Sequence, residues 1–163
     1  RIAWFKVHRP LAFYAAYFSI RAKAFDEAFM CRGMDVVKAK MRAIQAKDKD
    51  ATAVEQDMLT TLEVCYEFYL RGFSFEHIDI YRSEATHFLI DEKQNALIPP
   101  FASVAGLGET AAQSIVEQRE GKTFISVEEV AAACPKVSKT HIELLKEAGA
   151  FGNMPDTSQL TLF

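Results

Sequence analysis

Two glycines that flank a single leucine constrain this 163-residue chain more than any other feature. They are Gly106 and Gly108, around Leu107, inside the stretch Pro99 to Gly121. Glycine tolerates positive φ and allows close approach, so this spacing predicts a tight backbone hairpin. After it, Ala111, Ala112, Ile115 and Val116 recur at helical spacing, and Arg119 lies one turn beyond Ile115. The amides from Gly106 to Thr110 are therefore expected at a helix N-terminus. The first helical N–H groups have no partners within the helix, and the dipole there favours negative charge, so such a site suits an anion.

The order of apolar residues, glycines and arginine (Val104, Gly106, Leu107, Gly108, Ala112, Ile115, Arg119) resembles the DNA-binding helix-hairpin-helix motif. That resemblance implies hairpin amides that grip backbone phosphates without reading bases. A second helical pair follows. Ser126 and Glu129 have capping-box spacing, Pro135 breaks their helix, and Ser138 can cap another helix carrying Ile142, Leu144 and Leu145. Gly149 ends that helix. The second pair lacks the glycine hairpin and resembles the degenerate partner in tandem units of this kind. Its expected task is to bury the apolar faces of the first pair. Lys136 and Lys139 can add weak phosphate contacts.

Charge limits how DNA can be held. The net charge is −3, which argues against a broad basic groove but permits a few amide–phosphate contacts. Cys31, Cys65 and Cys134 are far apart and odd in number. They indicate neither a disulfide framework nor a zinc site and fit a reduced, cytoplasmic setting. The four histidines (His8, His77, His87, His141) are scattered, each an individual surface or interface residue. The most apolar run, Leu11 to Ile20, is too short to span a bilayer, and no signal peptide is visible.

Ahead of the glycines, Arg1 to Val7 reads as helical. Pro10 starts a second helix running to about Ala22, whose Phe13, Tyr14, Tyr17 and Phe18 are expected to pack against preceding chain. Phe25 to Gly33 reads as a connection. Met34, Val37, Met41 and Ile44 mark one amphipathic helix; Val54, Met58, Leu62, Cys65 and Tyr69 mark another, ended at Gly72. The charged segment Gln45 to Asp57 is expected to turn between them as an antiparallel pair. Ile78 to Tyr81 and Phe88 to Ile90 read as short strands, with Ala96 to Ile98 returning after a polar turn at Asp91 to Asn95. The expected fold class is mainly α with a small β element, a tandem helix-hairpin-helix unit preceded by a helical connector.

The chain closes on a polar spacer and then Gln159-Leu160-Thr161-Leu162-Phe163. This resembles the bacterial sliding-clamp-binding motif. The resemblance implies Gln159 at a pocket rim and the final Leu162-Phe163 pair in an apolar cleft, with Leu160 also a clamp-binding residue. The opening Ala3 to Ala16, then Asp79 to Ser83, Leu97 to Phe101 and the closing five residues together resemble the C-terminal region of the PolC-type α subunit of bacterial DNA polymerase III. Residues 1–22 then correspond to the end of the fingers, 23–98 to a helical and small-β connector, 99–151 to the duplex-binding unit, and 152–163 to a flexible clamp-binding tail.

That resemblance implies upstream polymerase domains as partners, the sliding clamp (β subunit) and non-specific duplex DNA as others, and no membrane. It implies magnesium in the parent enzyme, held by upstream carboxylates. No catalytic or metal-ligating residue is assigned within these residues, and none of their own cofactors is expected. Asp48 with Asp50 and Glu128 with Glu129 read as solvated surface or helix cap. Two other classes stay open: a DNA repair nuclease or ligase fragment with the same motif, and a non-enzymatic DNA and clamp interaction module.

Overall fold

The computed structural model of the chain describes residues 2–157. Gln159, Leu160, Leu162 and Phe163, on which the clamp-binding expectation rests, lie outside the described residues.

Helix α1 (Ile2–His8) breaks at Arg9, and α2 (Pro10–Ile20) begins with proline in its first turn, where the missing N–H costs nothing. A single-turn α3 (Glu27–Met30) follows, started by the Asp26 carboxylate, which accepts from the Ala28 amide at 3.0 Å. The sequence reads this region as a plain connection; the Asp26 cap gives it one helical turn. Two long helices, α4 (Met34–Lys47) and α5 (Ala53–Leu70), then pack as an antiparallel pair. The turn between them is shorter than the sequence suggests. Thr52 and Glu55 form a reciprocal capping box that starts α5 at Ala53, inside the segment expected to be loop.

Tyr14, Phe18, Phe25 and Phe68 lie in one buried cluster with Leu62, Phe88 and Leu97. The rings meet mostly edge-on, as at Tyr14–Phe68 with centroids 5.1 Å apart and Phe25–Phe88 at 4.8 Å. So Tyr14 and Phe18 of α2 are buried within the described residues, with Phe13 and Tyr17 partly buried against the same cluster. Four exposed apolar side chains gather on α1 (Ile2, Trp4, Phe5 and Val7), and Ile20 at the end of α2 is 85% exposed. No break in the core falls at residue 22, because α2 belongs to the same cluster as α4 and α5.

The sheet has three short strands in the order β1-β3-β2. β2 (Leu89–Asp91) and β3 (Ala96–Ile98) pair antiparallel, while β1 (Ser74–Phe75) runs parallel to β3. The expected strand at Ile78 to Tyr81 is absent. The Asp79 carboxylate accepts from the Tyr81 and Arg82 amides, and the Asp79 amide donates to Ser83 Oγ, so the segment curls. Ile78 and Ile80 are still buried, in a second cluster. Their apolar alternation reflects a buried loop, not a strand.

That second cluster is built by α6 (Glu109–Gln118), α7 (Val127–Ala133) and α8 (Lys139–Glu147) with Phe101, Val104 and Leu107. Residues 152–157, expected as part of a flexible tail, are pinned here. The Val127 and Glu128 amides donate to the carbonyls of Pro155 and Asp156, Met154 packs on the cluster, and Lys146 pairs with Asp156 at 2.6 Å.

Candidate nucleic-acid interface

The turn ahead of α6 closes with the Leu107 amide donating to the Val104 carbonyl at 3.1 Å. Gly106 sits at its third position with φ +80°, the conformation a type II turn requires there. Val104 and Leu107 point inward and are buried; Gly106, Gly108 and Thr110 are exposed. The apolar pair anchors the turn, and the glycines present its backbone to solvent.

The two glycines do different work. Gly106 is fixed by its positive φ and by crowding, since a Cβ there would lie 3.2 Å from His141 Nε2. Gly108 has an ordinary φ of −71° and open space where a side chain would go. It is the N-cap of α6, and it offers no side chain to the helix. The amides of Glu109 and Thr110 consequently donate to no acceptor among the described residues. By contrast, α5, α7 and α8 are capped by Thr52, Ser126 and Ser138, each accepting an amide of the first turn.

An offset of 30 residues superposes the sequence of the first unit on the second. Val104, Leu107, Ala112 and Ile115 correspond to Cys134, Val137, Ile142 and Leu145, all buried in the one cluster. The Val137 amide donates to the Cys134 carbonyl at 3.0 Å, repeating the first turn's closing bond. Ser138, the counterpart of Gly108, has nearly the same backbone, with φ −69° and ψ 160° against −71° and 163°. The helix that precedes the first turn is reduced to a 3-10 turn at Phe101–Ser103.

His141 joins the two units. Its Nδ1 lies 2.9 Å from Ser138 Oγ, which also accepts the His141 amide, and this sets the ring against Gly106. In the sequence it is one of four scattered histidines; its place three residues after a capping serine is the available signal. Lys136 and Lys139 are exposed on the second turn and have no carboxylate within ion-pairing distance among the described residues.

Arg119 is placed otherwise than its expected phosphate contact requires. Its side chain is only 13% exposed, and its guanidinium donates to the carbonyls of Ile80, at 3.2 Å, and Ser83. It also lies 5.8 Å from the Phe101 ring centroid. The curled segment 79–83 turns these carbonyls toward the end of α6, so Arg119 ties that segment to the helix.

A cleft of about 780 Å³ lies beside the glycine turn. One wall is Val104 to Glu109; the other includes Arg21, Lys23, Phe25 and Asp57. Arg21 neutralises Asp57 across 2.5 Å. Among the described residues no three His, Cys, Asp or Glu side chains are grouped as a metal site needs. Glu129 accepts the Ile125 amide at 2.8 Å, so it serves the start of α7.

Exposed backbone amides on a glycine turn, backed by a second helical unit, define a helix-hairpin-helix protein. The chain belongs to the helix-hairpin-helix motif family, whose model matches residues 72–160. Over its whole length it is also similar to proteins named DNA polymerase III PolC-type: 50% identical to that of Lactococcus lactis, 48% to that of Streptococcus agalactiae and 47% to that of Streptococcus pneumoniae. All of this chain is covered in each case, but only 10% of the Lactococcus protein and 11% of the other two, so the chain spans about a tenth of the relatives it matches. No helix among the described residues is long and apolar enough to cross a membrane.

Proposed function

We propose that this chain is the duplex-holding and clamp-tethering part of a bacterial replicative DNA polymerase, acting in the cytoplasm. The observation that carries the DNA contact is the glycine-capped start of α6, whose amides at Glu109 and Thr110 face solvent with no internal acceptor. A phosphate oxygen completes such a site, because it accepts those N–H groups and meets the positive end of the helix dipole. Gly106, Leu107, Gly108 and Thr110 offer the backbone, and Lys136 and Lys139 add charge on the adjoining turn. Contacts of this kind are blind to base sequence.

The named relatives favour a polymerase over a repair nuclease or ligase. In such an enzyme magnesium would be held by carboxylates elsewhere, and no catalytic step is routed through the residues described here. Residues 99–151 would serve as the duplex-binding unit. Gln159, Leu160, Leu162 and Phe163 would engage the clamp, launched from a segment that Pro155 and Asp156 fix to α7. Two modest attachments on one chain raise effective concentration, so processivity follows without either being tight.

The test is clamp capture by the chain with and without residues 159–163. Capture is expected to vanish on truncation while duplex affinity is retained. Equal capture by both forms refutes the tail assignment.

A further inference from the structure

The part of the chain that holds the glycine turn is acidic. Residues 99–163 contain 5 Lys and Arg against 8 Asp and Glu, whereas residues 1–72 contain 12 against 9. The positive excess gathers on α4, where Lys38, Lys40, Arg42 and Lys47 stand against one acid, Asp35. Its neighbour α5 carries Glu55, Asp57, Glu63 and Glu67 and no base.

A pair of helices that needed only solubility would join these charges across their seam. One such bond forms, Lys47 to Glu55 at 2.5 Å. Asp57 is instead taken by Arg21, and Glu67 by Lys6 and Tyr14. Lys38, Lys40 and Arg42 have no carboxylate partner among the described residues. Lys40 is held 4.3 Å from the Phe29 ring centroid and Lys38 5.5 Å from that of Tyr66, so aromatic faces fix both heads along the helix flanks. At about 100° per residue, Lys38 and Arg42 edge one side of the solvent strip and Lys40 the other. Exposed Ala39 and Ala43 lie in the strip between them, with the single acid Asp35 beside Arg42.

We propose that this face of α4 lies against a phosphodiester backbone, with Lys38, Lys40 and Arg42 each neutralising a phosphate. The inference rests on the DNA-binding reading above and deepens it: directed amides hold the strand at the glycine turn, and α4 supplies the attractive field that the acidic unit lacks. The base of the helical pair opens onto the same cleft as the turn, since Asp57 of α5 and Gly106 both line it.

The test combines Lys38→Gln, Lys40→Gln and Arg42→Gln in the 163-residue chain. Affinities for a labelled duplex and for a single strand of the same length are measured by anisotropy over a salt series. The slope of log K against log salt is expected to fall by about two to three, at about 0.9 per duplex phosphate released, with at least a roughly tenfold loss of affinity at low salt. The thermal midpoint should hold. A larger loss on duplex assigns the face to the product helix, and a larger loss on single strand assigns it to unpaired template; either supports the proposal. Unchanged slopes on both overturn it and leave the face to an acidic protein. The charge-preserving set Lys38→Arg, Lys40→Arg and Arg42→Lys should keep the slope; losing it there means packing, not charge, and also overturns the proposal. A Gly108→Ser chain separates the two readings, because it should weaken binding at every salt concentration with the slope kept. If the wild-type chain binds no nucleic acid, both readings fall.

Discussion

At the scale of single residues, Gly106 and Gly108 look alike in sequence and differ in physics. Gly106→Ala must hold an L-residue at φ +80° with its Cβ against His141, so it should cost roughly 1–2 kcal/mol in urea unfolding. Gly108→Ser should do the reverse. Ser138 shows that the same backbone accepts a capping serine, so α6 should gain about a few tenths of a kcal/mol. The new hydroxyl would occupy the amides that phosphate uses, and duplex affinity should fall as stability rises. A variant that gained stability and kept its affinity would remove the α6 amides from the binding site. Arg119 makes the opposite case. Arg119→Ala strands the carbonyls of Ile80 and Ser83 and should cost roughly 1–3 kcal/mol, with no change in the salt slope of binding. The glycine spacing was legible because it is local. The destination of Arg119 was not, because its partners lie 36 and 39 residues away on a segment that reads as a strand.

Among the elements, the helices were legible where their apolar period was long. Residues Met34 to Ile44 and Val54 to Tyr69 announce α4 and α5. The start of α5 is hidden because Thr52 and Glu55 sit in a charged stretch that reads as loop, although their spacing is that of a capping box. The sheet was half legible. Its antiparallel arm follows from the turn at Asp91 to Asn95, but β1 is two residues long and owes its place to Leu97, whose carbonyl accepts the Glu76 amide at 2.8 Å. Here the Glu76 and Asp91 carboxyls meet beside Arg82, and one Glu76 oxygen is buried without a hydrogen-bond partner. Burial and the neighbouring Asp91 carboxyl push the Glu76 carboxyl above its ordinary value, while the proton shared from Glu76 holds Asp91 below its own. Once Glu76 loses its proton, the two carboxylates face each other beside Arg82. Protonation of Glu76 turns the pair into a hydrogen bond, so its contribution is favourable below the ordinary glutamate range and is lost as pH rises through the elevated value. Glu76→Gln donates that bond at any pH. It should therefore melt higher than wild type at pH values above that elevated one, and the gap should close as pH falls through it. A gap independent of pH would show that the two carboxyls do not titrate together.

At the scale of the whole molecule, the sequence divides into a connector and a DNA-binding unit, and the buried clusters cross that division. Phe75, Phe88 and Leu97 belong with the aromatic cluster of α2 and α5, whereas Ile78, Ile80, Ala85 and Phe101 belong with α6 to α8. The chain therefore passes from one cluster to the other and back within residues 75–101. Alternating membership of this kind is invisible to periodicity, which reports burial but not the partner. It has a mechanical consequence. Neither cluster can melt without withdrawing side chains that the same segment supplies to the other, so the two should unfold together. Leu97→Ala removes a fully buried side chain at the centre of the sheet and should cost about 2–5 kcal/mol. That loss should appear equally in the slowest-exchanging amides of α5 and of α8. Far-UV circular dichroism should show one urea transition for wild type and variant alike. A loss confined to α5 would show two independently stable halves. With a single cooperative unit, the glycine turn and the cationic face of α4 hold a fixed separation, and a nucleic acid backbone bound at one is delivered in register to the other.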